Sequence, residues 1–376
     1  MDTRVNSIFG AYSQQLQVLV DTNLEKFKAP FYNRFFQLGL PTTNLTYATV
    51  IGKSRIEAAA SVVAHGSEAP LRSRAGLERL SGEVSAIKVK RQLDEQEYRN
   101  WLTLQGMNVS DEGKKMQIIK LIWDDLKYVV DSVQQRMDLM AARALSKGII
   151  DIDATSNPDG VVPGDIDLLV TNKIASNAFT GTSEADRRWL STTPTTAKPI
   201  SDIIYTTRKY SNEKGLEFEK ILMTPTKLWQ VLATTEVTNS LKGFLNVESG
   251  NGYIPSLGAL NTLLTANNLP IIELVDVRGR IEKNGVMSNY NGWADDKYIT
   301  FIPGGQLGVM HNALSVEQIS PVSTVDYATA NNILVSKWSQ TEPFGEFTRG
   351  EIAAFPGLEM ADQLVLVNTE HQTTFA

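Results

Sequence analysis

An apolar stripe runs through the first half of the chain. Met116, Ile119, Ile122, Leu126, Val129, Val133, Met137, Met140 and Ala144 recur at intervals of three and four. That spacing sets one face of an α-helix against a core. Lys120, Asp124, Asp125, Lys127, Asp131, Arg136, Asp138 and Arg143 occupy the other faces. Asp111 and Gly113 mark the start, and Gly148 stands where glycine ends a helix by turning left-handed. A helix over residues 113–147 is roughly 50 Å long, well beyond the roughly 8–20 residues usual in globular proteins. A coiled coil is the alternative. The stripe drifts instead of holding strict heptads, which favours a spine packed on a sheet.

The segments before the helix cannot fold by themselves. Residues 1–25 form an arm, with one short helix around Leu16, Val18, Leu19 and Val20. Such an arm gains order by lying on a neighbour, in the same chain or another. Phe27, Phe31, Tyr32, Phe35 and Phe36 make an aromatic packing cluster. Residues 45–92 then make a two-stranded excursion. Leu45–Ile51 and Val84–Val89 are its strands, and the tip over 65–82 carries Gly66, Pro70, Gly76 and Gly82. Ile87 and Val89 alternate with Lys88 and Lys90 at the period of a half-buried strand. A lone ribbon is marginally stable, so it should lean on something outside its own domain. Lys53, Arg55, Arg72, Arg74, Arg79, Lys88, Lys90 and Arg91 outnumber Glu57, Glu68, Glu78 and Glu83 there, while the whole chain carries −6. A basic excursion on an acidic protein is a docking element for another copy. The alternative is a solvated hairpin.

Beyond the helix, residues 151–198 are rich in turn formers, with Asn157-Pro158-Asp159-Gly160 and Pro163-Gly164. Compact α/β material follows. Helices are expected at Ser201–Tyr210, from Thr224-Pro225 to Thr234, and at Ser256–Asn267. Strands are expected at Phe218–Met223, Ile271–Val277 and Lys297–Ile302, with a polar turn at Asn289–Asp296. After about residue 320, strands at Asn332–Lys337 and Gln363–Val367 flank a stretch carrying Pro343, Gly345, Gly350, Pro356 and Gly357. The final strand is expected to return to the sheet beneath the long helix. The chain thus divides into an arm (1–44), a ribbon (45–92), a discontinuous domain (93–150 with 321–376) and an inserted domain (151–320).

Little in the chain points to catalysis. There is no cysteine, which removes disulfides, thiolate nucleophiles and Cys-ligated metals. His65, His311 and His371 are far apart and form no metal-type pair. Pro303-Gly304-Gly305-Gln306-Leu307-Gly308 follows a strand but lacks the order of a nucleotide loop and reads as a tight turn. Asp151 with Asp153, and Asp165 with Asp167, lack the spacing of a calcium loop and read as turn residues. No catalytic residue, cofactor or metal is assigned. Net acidity disfavours sequence-specific DNA binding. No run reaches the ~18 apolar residues of a membrane span, and the first residues do not pattern as a secretory leader.

The order of arm, basic ribbon, spine helix, inserted α/β domain and returning strand resembles the HK97-like capsid fold, an α+β fold of tailed bacteriophages. There the parts are called N-arm, E-loop, P-domain with spine helix, and A-domain. Val129–Asp153 (VVDSVQQRMDLMAARALSKGIIDID) is similar to the end of the spine helix in the lambda-type major capsid (head) protein family. Arg136, Ala141, Ala142, Ala144, Leu145 and Gly148 fall where that family has an Arg, small residues and an Ala-Leu-x-x-Gly ending. Ile221–Leu241 (ILMTPTKLWQVLATTEVTNSL) resembles its strand, Pro-initiated helix and following segment.

The resemblance implies a non-enzymatic major capsid protein in the virion, assembled in a host bacterial cytoplasm. Its copies would form pentamers and hexamers of an icosahedral head that encloses double-stranded DNA. The implied partners are a separate scaffolding protein, a portal and a decoration protein. Lys53, Arg55, Arg72, Arg74 and Arg79 are the candidate inter-subunit residues. The alternatives are an encapsulin-like nanocompartment shell, a phage tail component and an enzyme of unrecognised type.

Overall fold

A computed structural model describes residues 16–51, 78–105, 111–158, 160, 164–175, 187–246, 253–283, 285–342, 344–371 and 375. The long helix is present as Asp111–Lys147, 37 residues and about 55 Å. Ile122, Leu126, Val129, Val133, Met137, Met140 and Ala144 are all buried. The side chains of Met116 and Ile119 lie outside the described residues. Gly148 has φ 69°, and its N–H donates to Ala144 O at 3.1 Å. A Cβ there would come within 2.9 Å of Val170, so glycine is required for space as well as for the turn.

Burial on this helix is wider than one stripe. Val130, Gln134, Leu139, Ala141, Ala142, Leu145 and Ser146 are buried too. Asp138, expected on a polar face, is also interior. Its carboxylate is held there by the aromatic segment, whose Tyr32 N–H donates to it.

The chain divides into two compact units. The first comprises Met1–Tyr47, Ser81–Asp138 and Met310–Pro356. Its sheet runs in the order Phe36–Leu38, Gly308–Ala313, Phe344–Leu358, Ile333–Thr341, Asp326–Ala330, and Ala86–Asp94 also pairs with Phe344–Leu358. That last strand is 15 residues long. It occupies the stretch whose glycines and prolines mask a strand in the sequence. The glycines serve close approach: a Cβ on Gly350 would lie 2.9 Å from Val129 O of the long helix. Asn331 and Asn332, both at positive φ, join Asp326–Ala330 to Ile333–Thr341 through a two-residue turn, with Ala330 paired to Ile333.

The second unit comprises Ala48–Leu80, Leu139–Val309 and Gly357–Ala376. Its five strands run Lys173–Ala175, Val365–Asn368, Tyr298–Ile302, Lys220–Met223, Ile271–Leu274. Tyr298–Ile302 is antiparallel to both neighbours, and the two outer pairings are parallel. The last strand therefore sits inside this unit's sheet, not in the sheet carried by the first unit. Its residues Val365–Val367 are wholly apolar and buried, as an interior strand requires.

Between Lys220–Met223 and Ile271–Leu274 run the helices Pro225–Leu232, Thr235–Leu245 and Leu257–Ala266, which supply the crossover a parallel pair needs. Thr224 and Ser256 cap two of them by accepting the N–H of Lys227 and Ala259. Ile203, Tyr210, Ile221, Leu228, Val231 and Phe301 belong to this unit's core. The polar turn expected from Asn289 is instead the end of a hairpin, Arg278–Lys283 with Val286–Asn291. Its signal was the Asn284-Gly285 pair, the strongest short hairpin turn.

Candidate functional site

The ribbon is where the sequence places its candidate contacts. Thr46–Ile51 pairs with Glu78–Glu83, and the N–H of Val84 donates to Leu45 O at 2.7 Å. Tyr47 roots the ribbon: its ring stacks on Phe355 at 4.6 Å and on His311 at 5.5 Å. Gly82 lies against the same ring, where a Cβ would meet the Tyr47 hydroxyl at 2.9 Å. Burial raises the Tyr47 pKa, so the phenol stays neutral. His311 is thus a packing residue.

Lys53, Arg55, Arg72 and Arg74 lie outside the described residues, and Arg79 falls in strand Glu78–Glu83 with its side chain undescribed. His65 also lies outside them. The basic residues nearer the root are engaged within the first unit. Lys88 pairs with Glu351 at 2.9 Å and Arg91 with Asp125 at 3.2 Å. Lys90 sits over the Phe347 ring at 4.9 Å, and Arg91 over Tyr128 at 5.0 Å.

Charges also line this unit's sheet. Arg349 bridges Glu317 at 2.5 Å and Glu351 at 3.5 Å, extending a chain of charges from Lys88. On the alternate residues of the same strand, Glu346 meets Lys337, and both are almost fully buried. Asp125 on the long helix feels that pair; desolvation raises its pKa, against the nearby Arg91 and Lys337. Sequence periodicity gave no sign of Lys337 as an interior residue, because a lysine between apolar positions reads as solvated.

In the second unit two buried charges converge on Trp189. Its indole N–H donates to Asp202 at 2.9 Å, and Arg187 donates to the other carboxylate oxygen at 2.6 Å. Burial pushes Asp202 up to about 7, partly offset by Trp189 and Arg187. The ammonium of Lys227 donates to Trp189 O at 3.1 Å and pairs with Glu370 at 2.6 Å. Trp189 N–H donates to Thr369 O at 2.8 Å. These contacts tie the segment to the C-terminal tail.

The acidic residues are held by backbone N–H groups and by cations, and Asp167, expected in a turn, lies in the short strand Ile166–Asp167. Asp153 accepts the N–H groups of Thr155 and Ser156, which lowers its pKa. Asp151 faces Arg143 and Lys147. Asp165 accepts from Ile152 N–H, and Asp167 from Leu169 N–H. Gly305 turns at φ 85°, and the following residues form a strand. A Cβ on Gly308 would collide with Gly357 O, so that glycine serves backbone approach. Among the described residues no group of three or more His, Asp or Glu could hold a metal. None of their helices is long and apolar enough to cross a membrane.

A family model described as "Phage major capsid protein E" matches residues 22–365. The comparison with curated proteins gives no significant match. Among solved structures, a protein described as a prophage capsid protein, from Escherichia coli CFT073, matches with 14% identity. The alignment covers 93% of this chain and 96% of that one, with a TM-score of 0.53. A phage-related protein from Bordetella bronchiseptica RB50 matches with 10% identity over 98% of each chain, with a TM-score of 0.49.

Proposed function

The chain belongs to the phage major capsid protein E family, and from that premise we propose how its copies build the shell. It is a major capsid protein with the HK97-like fold. Its copies group as pentamers and hexamers, which close into an icosahedral head around double-stranded DNA. The observation that carries this reading is a family match spanning nearly the whole described fold, residues 22–365. Native mass spectrometry of the purified chain tests the grouping. Species at five and six times the 41.5 kDa chain are expected, and dimers alone would contradict it.

In this reading 1–44 is the arm and 45–85 the docking ribbon, because the expected second ribbon strand at Val84–Val89 falls instead in Ala86–Asp94, which pairs with Phe344–Leu358 in the first unit's sheet. Residues 86–150 with 321–356 are the peripheral domain, and 151–320, whose sheet also takes in the strand Val365–Asn368, is the domain nearest the capsomer axis. Lys53, Arg55, Arg72, Arg74 and Arg79 reach an acidic neighbour. The support is electrostatic: the root charges Lys88 and Arg91 already have internal partners, and the chain as a whole is acidic. Reversing Arg72, Arg74 and Arg79 together should raise the subunit concentration needed for assembly and flatten its salt dependence. An unchanged salt profile rules those contacts out. The protein works without cofactor, metal or catalysis. A separate scaffolding protein, a portal and a decoration protein are its partners, and assembly takes place in the host cytoplasm.

A further inference from the structure

The outer strand of the first unit's sheet is Asp326–Ala330. Its turn fixes which backbone groups face outward. The two-residue loop Asn331-Asn332 makes Ala330 and Ile333 the closing pair, and in such a hairpin the closing pair exchanges both hydrogen bonds. Bonding residues alternate along the strand, so Ala328 and Asp326 bond inward while Thr329 and Tyr327 offer their N–H and C=O outward. Open edges of this kind accept strands from other chains.

Among the described residues, the side chain of Gln17 occupies that edge. Gln17, on the helix Leu16–Thr22, accepts the Thr329 N–H at 2.8 Å and donates to Thr329 O at 3.1 Å. This is the two-bond pattern a neighbouring strand would supply. Asp21 orients the amide by accepting from the same nitrogen at 2.8 Å. Leu16, Leu19 and Val20 are buried beside it. The two bonds of Gln17 to Thr329 are solvent-exposed, where water competes for both groups. The family match begins at residue 22, so almost all of this helix stands outside it.

We propose that Leu16–Thr22 is a displaceable cover over the edge strand Asp326–Ala330, holding it closed in the free subunit until a strand of a second copy takes the place of Gln17. The proposal rests on the self-assembly reading. A permanent strut would use the same apolar contacts, but would not need a glutamine that imitates strand pairing at a single outward residue.

Amide hydrogen exchange on the full chain, as free subunits and as shells, decides between cover and strut. On assembly the amides of Val20, Asp21 and Thr22 should lose protection by roughly tenfold or more, while Thr329 stays protected. If helix and Thr329 both keep their protection, the helix is a fixed strut and the proposal fails with the shell reading intact. If both lose protection, no strand has taken the edge and the proposal fails again. A chain that forms no shells under any condition removes the shell reading, and the cover with it.

Gln17→Glu sets a carboxylate against Thr329 O and Asp21. It should speed Thr329 exchange in free subunits and lower the concentration at which copies associate. Faster exchange with unchanged association overturns the proposal. Should that variant fail to fold, Gln17→Ala, which removes both bonds without adding charge, carries the same comparison.

Discussion

Asp138, in the middle of the long helix, accepts the backbone N–H of Tyr32 at 3.0 Å, and both residues are buried. The bond ties the aromatic segment to the helix and leaves an ionisable group in the interior. Desolvation pushes Asp138 up to about 6, against the backbone N–H of Tyr32, the charge of Lys28 and the backbone N–H of Phe31. A carboxylate whose folded value exceeds its unfolded value binds protons on folding. Its contribution therefore favours the fold at the acid end and is lost as pH rises through about 6. Asp138→Asn should flatten the stability profile of the first unit between about pH 4 and 6, by roughly 3 kcal/mol at most. Denaturant midpoints across that window check it; a difference between variant and parent that ignores pH contradicts the assignment.

The Lys337–Glu346 pair is buried on both sides. Removing one partner strands the other charge, so Glu346→Gln or Lys337→Met alone should cost about 3–5 kcal/mol. Replacing both with apolar residues of similar volume should recover most of that loss. Equilibrium unfolding of the two single variants and the double variant measures the coupling.

At Gly350 the long strand passes against the backbone of Val129. Gly350→Ala has no flexible neighbour to displace, since the nearest atom is a carbonyl oxygen. A loss of roughly 1–3 kcal/mol is expected from overpacking. Gly258→Ala, on the helix Leu257–Ala266 where a Cβ meets nothing within 4 Å, is the contrasting control and should gain up to about 1 kcal/mol in the same thermal unfolding.

Trp189→Phe keeps an aromatic ring of smaller volume and removes the indole N–H, leaving Asp202 one donor short. An unsatisfied buried acceptor costs about 1–3 kcal/mol. The donor's loss also removes one of the contacts that hold Asp202 below its desolvated value, so its pKa should rise further. Carboxylate chemical shifts followed against pH read that movement directly, and a downward shift contradicts the geometry.

The long helix was legible because its spacing is set by one physical requirement, a buried face repeated from Ile122 to Ala144. The helix starts at Thr224-Pro225 and Ser256 were equally plain, since capping chemistry is local. The strand Phe344–Leu358 was hidden because Gly350 and Gly345 answer to neighbouring backbone, a tertiary demand that looks like a loop in one dimension. Asp138 and Lys337 were hidden for a related reason: their partners, Tyr32 and Glu346, come from other elements. The ribbon's charge excess was readable, but Lys88, Lys90 and Arg91 proved to belong to their own unit. Only packing distinguishes them from charges that face a neighbour.

Self-assembly is the central claim, and negative-stain electron microscopy of the purified chain, with its mass in solution, tests it most directly. Closed shells, tubes, or free pentamers and hexamers are the predicted result. A monomer at 41.5 kDa that persists when the scaffolding protein proposed as its partner is co-expressed would contradict it.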